Sequence, residues 1–148
     1  MSLNLEELAN EGLIEEFEST PTLIKQAMDS SEKDLKTAKE VLKTGNFDWA
    51  FVIAYNSMLQ AGRAFMFSFG YRPKGENKHL SVVKFASAEM PMQAVPLVSI
   101  FNKMRARRNK VVYEVRDTVS KSEAESAIKY AEEFIPIVKG LVVERDEA

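Results

Sequence analysis

The stretch from Phe47 to Tyr71, FDWAFVIAYNSMLQAGRAFMFSFGY, decides the fold class. Its spacing predicts a helix over about residues 48–69, with Gly70 as the stop. Apolar side chains cover most of the helix circumference, which is typical of a central helix contacted on several sides. Asn56, Gln60 and Arg63 interrupt the apolar surface, and they favour a buried helix over a membrane span.

The flanking sequence predicts five further helices, over about residues 5–17, 21–43, 79–89, 95–117 and 122–143. Thr20 is the expected N-cap of the second helix, with Pro21 at its first position. SEAE, from Ser122, predicts a capping-box start for the last helix, and Pro136 should kink or break it. Alternating β-branched runs are missing, so no strands are expected, and the tail ERDEA should be frayed. The sequence therefore predicts an all-α, up-and-down bundle of about five to six helices.

The chain as a whole excludes several classes of protein. Its 148 residues suit one domain, 1–148, with a core over about 20–143 and a short N-terminal helix over 5–17. The net charge of −2 is unlike that of a general nucleic-acid binder, so any RNA contact needs a local patch. With no cysteine, disulfides and thiolate chemistry are excluded. No signal peptide is apparent, and we expect a cytoplasmic protein with no membrane segment.

The stretch MRARRNKVVYEV, from Met104 to Val115, places arginines within the predicted helix 95–117. Helical geometry puts Arg108 on the apolar face, with Arg105 and Arg107 flanking that face. Burying a guanidinium without a partner costs on the order of several kcal/mol. Arg108 therefore needs a carboxylate such as Glu114, a row of carbonyls, an outside anion or a solvent-filled groove. A neighbouring stripe on the same helix contains Asn102, Ala106, Asn109 and Tyr113.

Two further features carry candidate polar residues. Asn56, Gln60 and Arg63 form a stripe at i, i+4 and i+7 that either faces water or lines a groove with Arg108, where two arginines would meet one phosphate. His79 is the single histidine, so one chain has no two-histidine metal site, and a capping or packing role is the alternative to a ligand-binding one. No Gly-rich phosphate loop or nucleophile elbow is present, and we predict no metal or cofactor.

The segments FDWAFVIAYNSMLQAGRAFMFSFGYRP, KHLSVVKFA and MRARRNKVVYE, in this order, resemble the HEPN domains of bacteria and archaea. The preceding DLKTAKEVLKTGNFDWA is similar to the usual entry to that domain. The resemblance implies a helical bundle that dimerises, often through the arginine-bearing helix. In many members, Arg followed after four to six residues by His forms a metal-independent ribonuclease site across the dimer cleft. Other members bind RNA or a protein, and many are encoded beside a minimal nucleotidyltransferase as a toxin–antitoxin pair.

Arg108 and Asn109 match the Arg-Asn of this motif, and Tyr113 stands at the position of the histidine. A histidine titrates near pH 6.5 and a tyrosine ordinarily near 10, so the exchange removes the usual proton carrier. We therefore predict a dimeric module that binds RNA or a protein partner, such as a nucleotidyltransferase, with weak or no nuclease activity. One alternative is a working ribonuclease toxin, and another is a nucleotide- or small-ligand-binding bundle. The candidate catalytic positions are Arg108, Asn109 and Tyr113, and the candidate ligand-binding positions are Asn56, Gln60, Arg63, His79, Asn102, Arg105 and Arg107.

Overall fold

The computed structural model describes residues 4–147, and most of them are helical. In chain order, the elements are α1 (Leu5–Asn10), β1 (Ile14–Glu16), α2 (Pro21–Lys43), α3 (Phe47–Ser68), β2 (Tyr71–Pro73), α4 (Lys78–Glu89), a 3-10 turn (Met92–Ala94), α5 (Val95–Tyr113) and α6 (Lys121–Glu147). The predicted all-α class and the six helices are confirmed. No helix within residues 4–147 is long and apolar enough to cross a membrane.

The helix α3 lies at the centre of the bundle, as its apolar circumference predicts. It packs along α2 and α6 on one side and against α4 and α5 on the other. Aromatic side chains fill the space between these helices, and Phe65, Phe85, Phe101 and Phe134 are all almost completely buried. The ring centroids of Phe101 and Phe134 are 5.4 Å apart, which joins α5 to α6 through the core.

The boundaries of α2 follow the predicted caps. The Thr20 hydroxyl oxygen accepts a hydrogen bond from the backbone N–H of Leu23 at 3.1 Å, which satisfies a donor that the first helical turn leaves free. The helix then runs to Lys43, as predicted, and Gly45 follows in the left-handed region. Gly70 occupies the same region after α3, so the expected stop there is also confirmed.

A two-stranded sheet corrects the prediction that the chain has no strands. The predicted helix 5–17 ends at Asn10, because Gly12 turns the chain with φ +75° and Ile14 enters the core. The strands β1 and β2 then pair antiparallel, with Ile14 opposite Pro73 and Glu16 opposite Tyr71. This pairing ties the N-terminal segment to the connection between α3 and α4.

The two C-terminal helices also differ from their predicted lengths. The helix α5 ends at Tyr113 and not at residue 117, because both carboxylate oxygens of Asp48 bind the chain beyond it. One accepts from the backbone N–H of Asp117 at 2.6 Å and the other from that of Val119 at 3.1 Å. Asp117 turns the chain with φ +58°.

The last helix, α6, begins and ends outside its predicted range. Ser120 caps it, because the Ser120 hydroxyl oxygen accepts from the N–H of Glu123 at 3.0 Å, so the cap lies two residues before the predicted one. The helix continues through Pro136, which is exposed, and so the proline does not break it. The tail is helical to Glu147, which corrects the expected fraying, and Ala148 lies outside the described residues.

Candidate functional site

At Gly62, side chains of α4 and α5 lie close to the backbone of α3. A Cβ atom at this position would lie 2.6 Å from Cγ1 of Val82 and 3.5 Å from Cε2 of Phe101. The absence of a side chain therefore allows both neighbouring helices to contact the α3 backbone. This approach brings the polar side chains near the start of α4 close to those of α3 and α5.

The connection between β2 and α4 fixes the first turn of α4. The buried Ser81 hydroxyl lies 3.2 Å from the carbonyl oxygen of Lys74 and 3.3 Å from that of Asn77. The Asn77 side chain in turn caps α4 by accepting from the N–H of Leu80 at 3.1 Å. These bonds fix the first turn of α4 and therefore the position of His79, which is the second residue of the helix.

His79 contacts a buried tyrosine of α3. The hydroxyl oxygen of Tyr55 lies 3.0 Å from Nδ1 of His79, and the two rings stack with their centroids 5.7 Å apart. Burial raises the pKa of Tyr55 far above its ordinary value, although the charges of Arg108 and Arg105 oppose this rise. Burial also lowers the pKa of His79, as do the charges of Arg108, Arg105 and Arg63. Both rings are therefore neutral at neutral pH.

Three arginines act on His79 through their charges, and each of them donates a hydrogen bond to a neutral amide oxygen. Arg63 donates to Oε1 of Gln60 at 3.1 Å, Arg105 donates to Oδ1 of Asn102 at 3.1 Å, and Arg108 donates to Oδ1 of Asn109 at 3.3 Å. Within residues 4–147, none of the three arginines forms an ion pair with a carboxylate. The alternative in which Glu114 neutralises Arg108 is therefore wrong. We name Arg63, His79, Arg105 and Arg108 the arginine–histidine cluster.

Two residues predicted for ligand binding are engaged elsewhere. Arg107 makes two bonds to the carboxylate of Glu123, at 2.8 and 3.1 Å, and a third to the carbonyl of Thr118. Asn56 donates to the carboxylate of Asp34 on α2 at 2.8 Å. Asn56 therefore does not take part in the groove with Arg108 that was one of the two alternatives for this stripe. Of the other two residues of the stripe, Arg63 belongs to the cluster and Gln60 is bonded to it.

Tyr113 is the last residue of α5 and its side chain is 74% exposed. The guanidinium carbon of Arg108 lies 5.6 Å from the centre of its ring, within the range of a cation–π contact. The motif positions Arg108, Asn109 and Tyr113 therefore lie together at the C-terminal end of α5. Tyr113 has no hydrogen bond to any of residues 4–147 that would activate its hydroxyl.

A cleft of about 470 Å³ opens beside His79, between α3, α4 and the N-terminal segment. Its polar lining consists of the neutral His79 and of the cationic Arg63, Lys78 and Arg72, and Arg72 is paired with Glu15 at 2.8 Å. Its apolar lining consists of Phe17, Leu23, Leu59, Phe67, Pro73 and Val82. Sequence reasoning missed Lys78 and Tyr55. The signal for Tyr55 was available, since a buried tyrosine hydroxyl on an apolar helix needs a polar partner.

Within residues 4–147, no three histidine or acidic side chains are grouped so that they could hold a metal ion. The cluster is therefore a set of hydrogen-bond donors with excess positive charge. Such a set suits an anion with several oxygen atoms.

The fold is similar to solved structures of small helical proteins. The crystal structure of ST0689, described as an archaeal HEPN homologue, matches with a TM-score of 0.63 and 18% identity, over 80% of this chain and 97% of that one. The crystal structure of TT1696 from Thermus thermophilus matches with a TM-score of 0.62 and 15% identity, over 79% of this chain and 96% of that one. No curated protein matches by sequence.

The family comparison covers most of the bundle. The HEPN domain matches residues 24–141, from the first turn of α2 to the last part of α6. The match includes every residue of the arginine–histidine cluster, and it agrees with the motifs in α3, α4 and α5 that resemble this family. The chain belongs to the HEPN domain family.

Proposed function

We propose that this HEPN protein binds single-stranded RNA through phosphate contacts made by Arg63, Arg105 and Arg108, with weak or no cleavage. The observation that carries the proposal is that these three guanidiniums have no carboxylate partner within the described residues. A guanidinium presents a planar set of N–H donors that matches phosphate oxygens. The exposed ring of Tyr113 supplies a surface on which a base can stack.

The net charge of the protein supports a local site over general adhesion to nucleic acid. The chain carries 22 acidic and 20 basic residues, so the molecule as a whole repels a polyanion slightly. Binding must then depend on the cluster. It should weaken as salt rises, because phosphate contacts release counterions.

Weak or absent cleavage follows from the residue at the motif histidine position. Cleavage through the 2′-hydroxyl requires a group that accepts its proton near neutral pH. Tyrosine is poorly suited to this task, and Tyr113 has no basic side chain bonded to its hydroxyl among the described residues. The arginines could still stabilise charge on a bound phosphate.

A metal-independent ribonuclease is the second candidate, and one observation favours it. A histidine does lie beside the arginines, although it comes from α4 and not from the arginine-bearing helix. If the free nitrogen of His79 reached a 2′-hydroxyl as a base, the cluster would hold all the groups that a metal-free cleavage needs.

Dimerisation remains a prediction that we carry into this proposal. Tyr113 at the C-terminal end of α5 and Val115 just beyond it are exposed, and Trp49 at the start of α3 is 49% exposed. A second copy covering this end would bring two Arg108 side chains to one cleft, as a two-fold axis requires. Sedimentation at micromolar concentration should give twice the monomer mass, and a monomer would restrict the proposal to one cluster. A nucleotidyltransferase-type partner likewise remains a prediction from the resemblance.

The test is a gel of end-labelled single-stranded RNA with wild-type protein, Arg108→Ala and Tyr113→His, scored for both shift and cleavage. We expect the wild type to shift the RNA without cutting it, and Arg108→Ala to shift it less. Cleavage by the wild type that is lost in Arg108→Ala would establish the ribonuclease instead. New cleavage in Tyr113→His alone would mean that the tyrosine silences an otherwise complete site.

A further inference from the structure

Tyr55 determines which nitrogen of His79 carries the proton. The Tyr55 hydroxyl is buried, and within residues 4–147 its one hydrogen-bond partner is Nδ1 of His79, at 3.0 Å. If Nδ1 carried the proton, it would donate to the tyrosine oxygen, and the hydroxyl hydrogen would have no acceptor. A buried donor left unsatisfied is costly. The hydroxyl therefore donates to Nδ1, and neutral His79 carries its proton on Nε2.

The groups around His79 maintain this neutral form. Tyr55 and Arg63 face it from α3, Arg105 and Arg108 act on it from α5, and Lys78 precedes it on α4. Burial lowers the pKa of His79 most, and the positive charges of Arg108, Arg105 and Arg63 lower it further, so all of them oppose its protonation. The ring is thus a neutral group within a cationic cluster.

The protonated Nε2 is available to a ligand. It has no hydrogen-bond partner among residues 4–147, and the half-buried His79 lines the cleft together with Arg63 and Lys78. An N–H donor between cationic side chains, on the wall of an open cleft, suits a phosphate oxygen.

We propose that His79 is a neutral hydrogen-bond donor that recognises a phosphate oxygen through Nε2–H, and that Tyr55 is its positioning residue. This inference rests on the proposed function and assigns a role to a histidine outside the arginine-bearing helix. It also separates binding from cleavage. A nitrogen that already carries a proton cannot take one from a 2′-hydroxyl, so this site holds a phosphate without supplying the base.

The tautomer can be measured directly, because His79 is the only histidine in the chain. Two-bond ¹H–¹⁵N correlation spectra of ¹⁵N-labelled protein at pH 7.5 should give a protonated Nε2 and an acceptor-type Nδ1. In Tyr55→Phe, which keeps the ring and loses the hydroxyl, the preference should weaken toward a mixture. A protonated Nδ1 in the wild type would overturn the proposal. So would a preference for Nε2 that persists unchanged in Tyr55→Phe.

The ligand is tested by adding inorganic phosphate, and separately a ten-nucleotide single-stranded RNA, at constant ionic strength. A response of the Nε2 signals to RNA alone would assign the site to phosphodiesters in a chain. A response to both would assign it to any phosphate, and each result supports the role of His79. No response to either overturns it.

The RNA affinities of two His79 variants distinguish a hydrogen bond donated by His79 from an effect of the neighbouring arginine charges. His79→Ala should weaken RNA binding about tenfold, whereas His79→Gln, which retains an N–H donor, should recover most of that loss. Equal losses in the two variants would contradict the proposal. If His79→Ala binds like the wild type while Arg108→Gln binds weakly, this inference fails and the proposed function stands. If the wild type binds no RNA, the proposed function fails, and the phosphate titration then decides the role of His79.

Discussion

Neighbouring arginines on α5 occupy opposite electrostatic surroundings. Arg107 bonds to both carboxylate oxygens of Glu123 and to the carbonyl of Thr118. Arg108, one residue later, bonds only to the amide oxygen of Asn109 and lies against the exposed ring of Tyr113. Arg107 thus joins α5 to the loop before α6 and to α6 itself, whereas Arg108 has no carboxylate partner among the described residues, which is why we propose that Arg108 binds a ligand.

The same contrast separates two larger regions of the molecule. On the surface shared by α2 and α6, Lys39 pairs with Glu132 at 3.0 Å and Lys139 pairs with Glu32 at 2.8 Å. In the arginine–histidine cluster, no described carboxylate pairs with an arginine. The chain has more acidic than basic residues, so the absence of carboxylate partners in the cluster does not reflect a shortage of acidic residues in the sequence. Its uncompensated charge marks the region that we expect to bind RNA.

The largest effect should come from removing the unpaired charges together. The triple variant Arg63→Gln, Arg105→Gln, Arg108→Gln should bind single-stranded RNA roughly 100-fold more weakly at low salt. The slope of log affinity against log salt should fall by about 2, because three phosphate contacts are lost at about 0.7 each. Fluorescence anisotropy with a labelled oligonucleotide measures both quantities.

The matched control removes three paired cations from the other region. Lys25→Gln, Lys39→Gln, Lys139→Gln changes the net charge by the same amount, and its lysines are all in ion pairs. We expect less than about a threefold change in RNA affinity, since a neighbouring carboxylate offsets the charge of each of these lysines. Equal losses in the two triple variants would show that RNA responds to net charge alone.

The second effect concerns the helix contact that assembles the cluster. Gly62→Ala should lower the free energy of unfolding by about 1–3 kcal/mol, because a Cβ there would overlap the stiff side chain of Val82. Gly140→Ala is the control, since nothing lies within 4 Å of its added Cβ, and it should gain about 0.5–1 kcal/mol. Urea unfolding measures both, and a Gly62→Ala variant as stable as the wild type would contradict the close approach.

A smaller loss should follow from breaking the pair on the other side of α5. Arg107→Gln should cost about 1 kcal/mol of unfolding free energy, because the bidentate pair with Glu123 is only partly exposed and solvent screens part of its energy. A double-mutant cycle with Glu123→Gln isolates the interaction. A coupling energy near zero would mean that the pair does not stabilise the loop.

The smallest effect is the contribution of His79 to the pH dependence of stability. Its pKa is lowered in the folded protein, mainly by burial and then by the arginine charges. The unfolded chain therefore takes up a proton first as pH falls below about 6.5, and stability falls through that range. The difference between wild type and His79→Gln, measured by urea unfolding at pH 7.5 and 5.5, isolates this term. A wild type that gains stability relative to the variant at pH 5.5 would contradict the direction.

Local sequence patterns predicted the secondary-structure elements that are determined by residues close together in the chain. The apolar circumference of α3 and the Thr20–Pro21 start of α2 depend on residues within a few positions, and both predictions are confirmed. The strands and the end of α5 depend on distant residues. Ile14 pairs with Pro73, and the carboxylate of Asp48 binds a backbone N–H 69 positions later. Neither contact leaves a periodic signal in the chain.

The candidate site also combines features that follow from local sequence with features that depend on distant residues. Helical spacing predicted that Arg108 lies on the apolar face and that Arg107 flanks it, but nothing in the sequence shows which of the two has a carboxylate partner. Only the fold brings Glu123 to Arg107 and leaves Arg108 with amides. The contact of His79 with Tyr55 joins residues 24 positions apart on two helices, and it required the packing of α4 on α3.

The most direct test of the central claim compares Arg107→Gln with Arg108→Gln in binding one labelled single-stranded RNA at low salt. The two variants lose the same charge from adjacent positions of one helix. We predict that Arg108→Gln weakens binding about fivefold to tenfold, whereas Arg107→Gln stays within about twofold of the wild type. Equal losses, or a larger loss in Arg107→Gln, would contradict the claim that the unpaired arginines bind RNA.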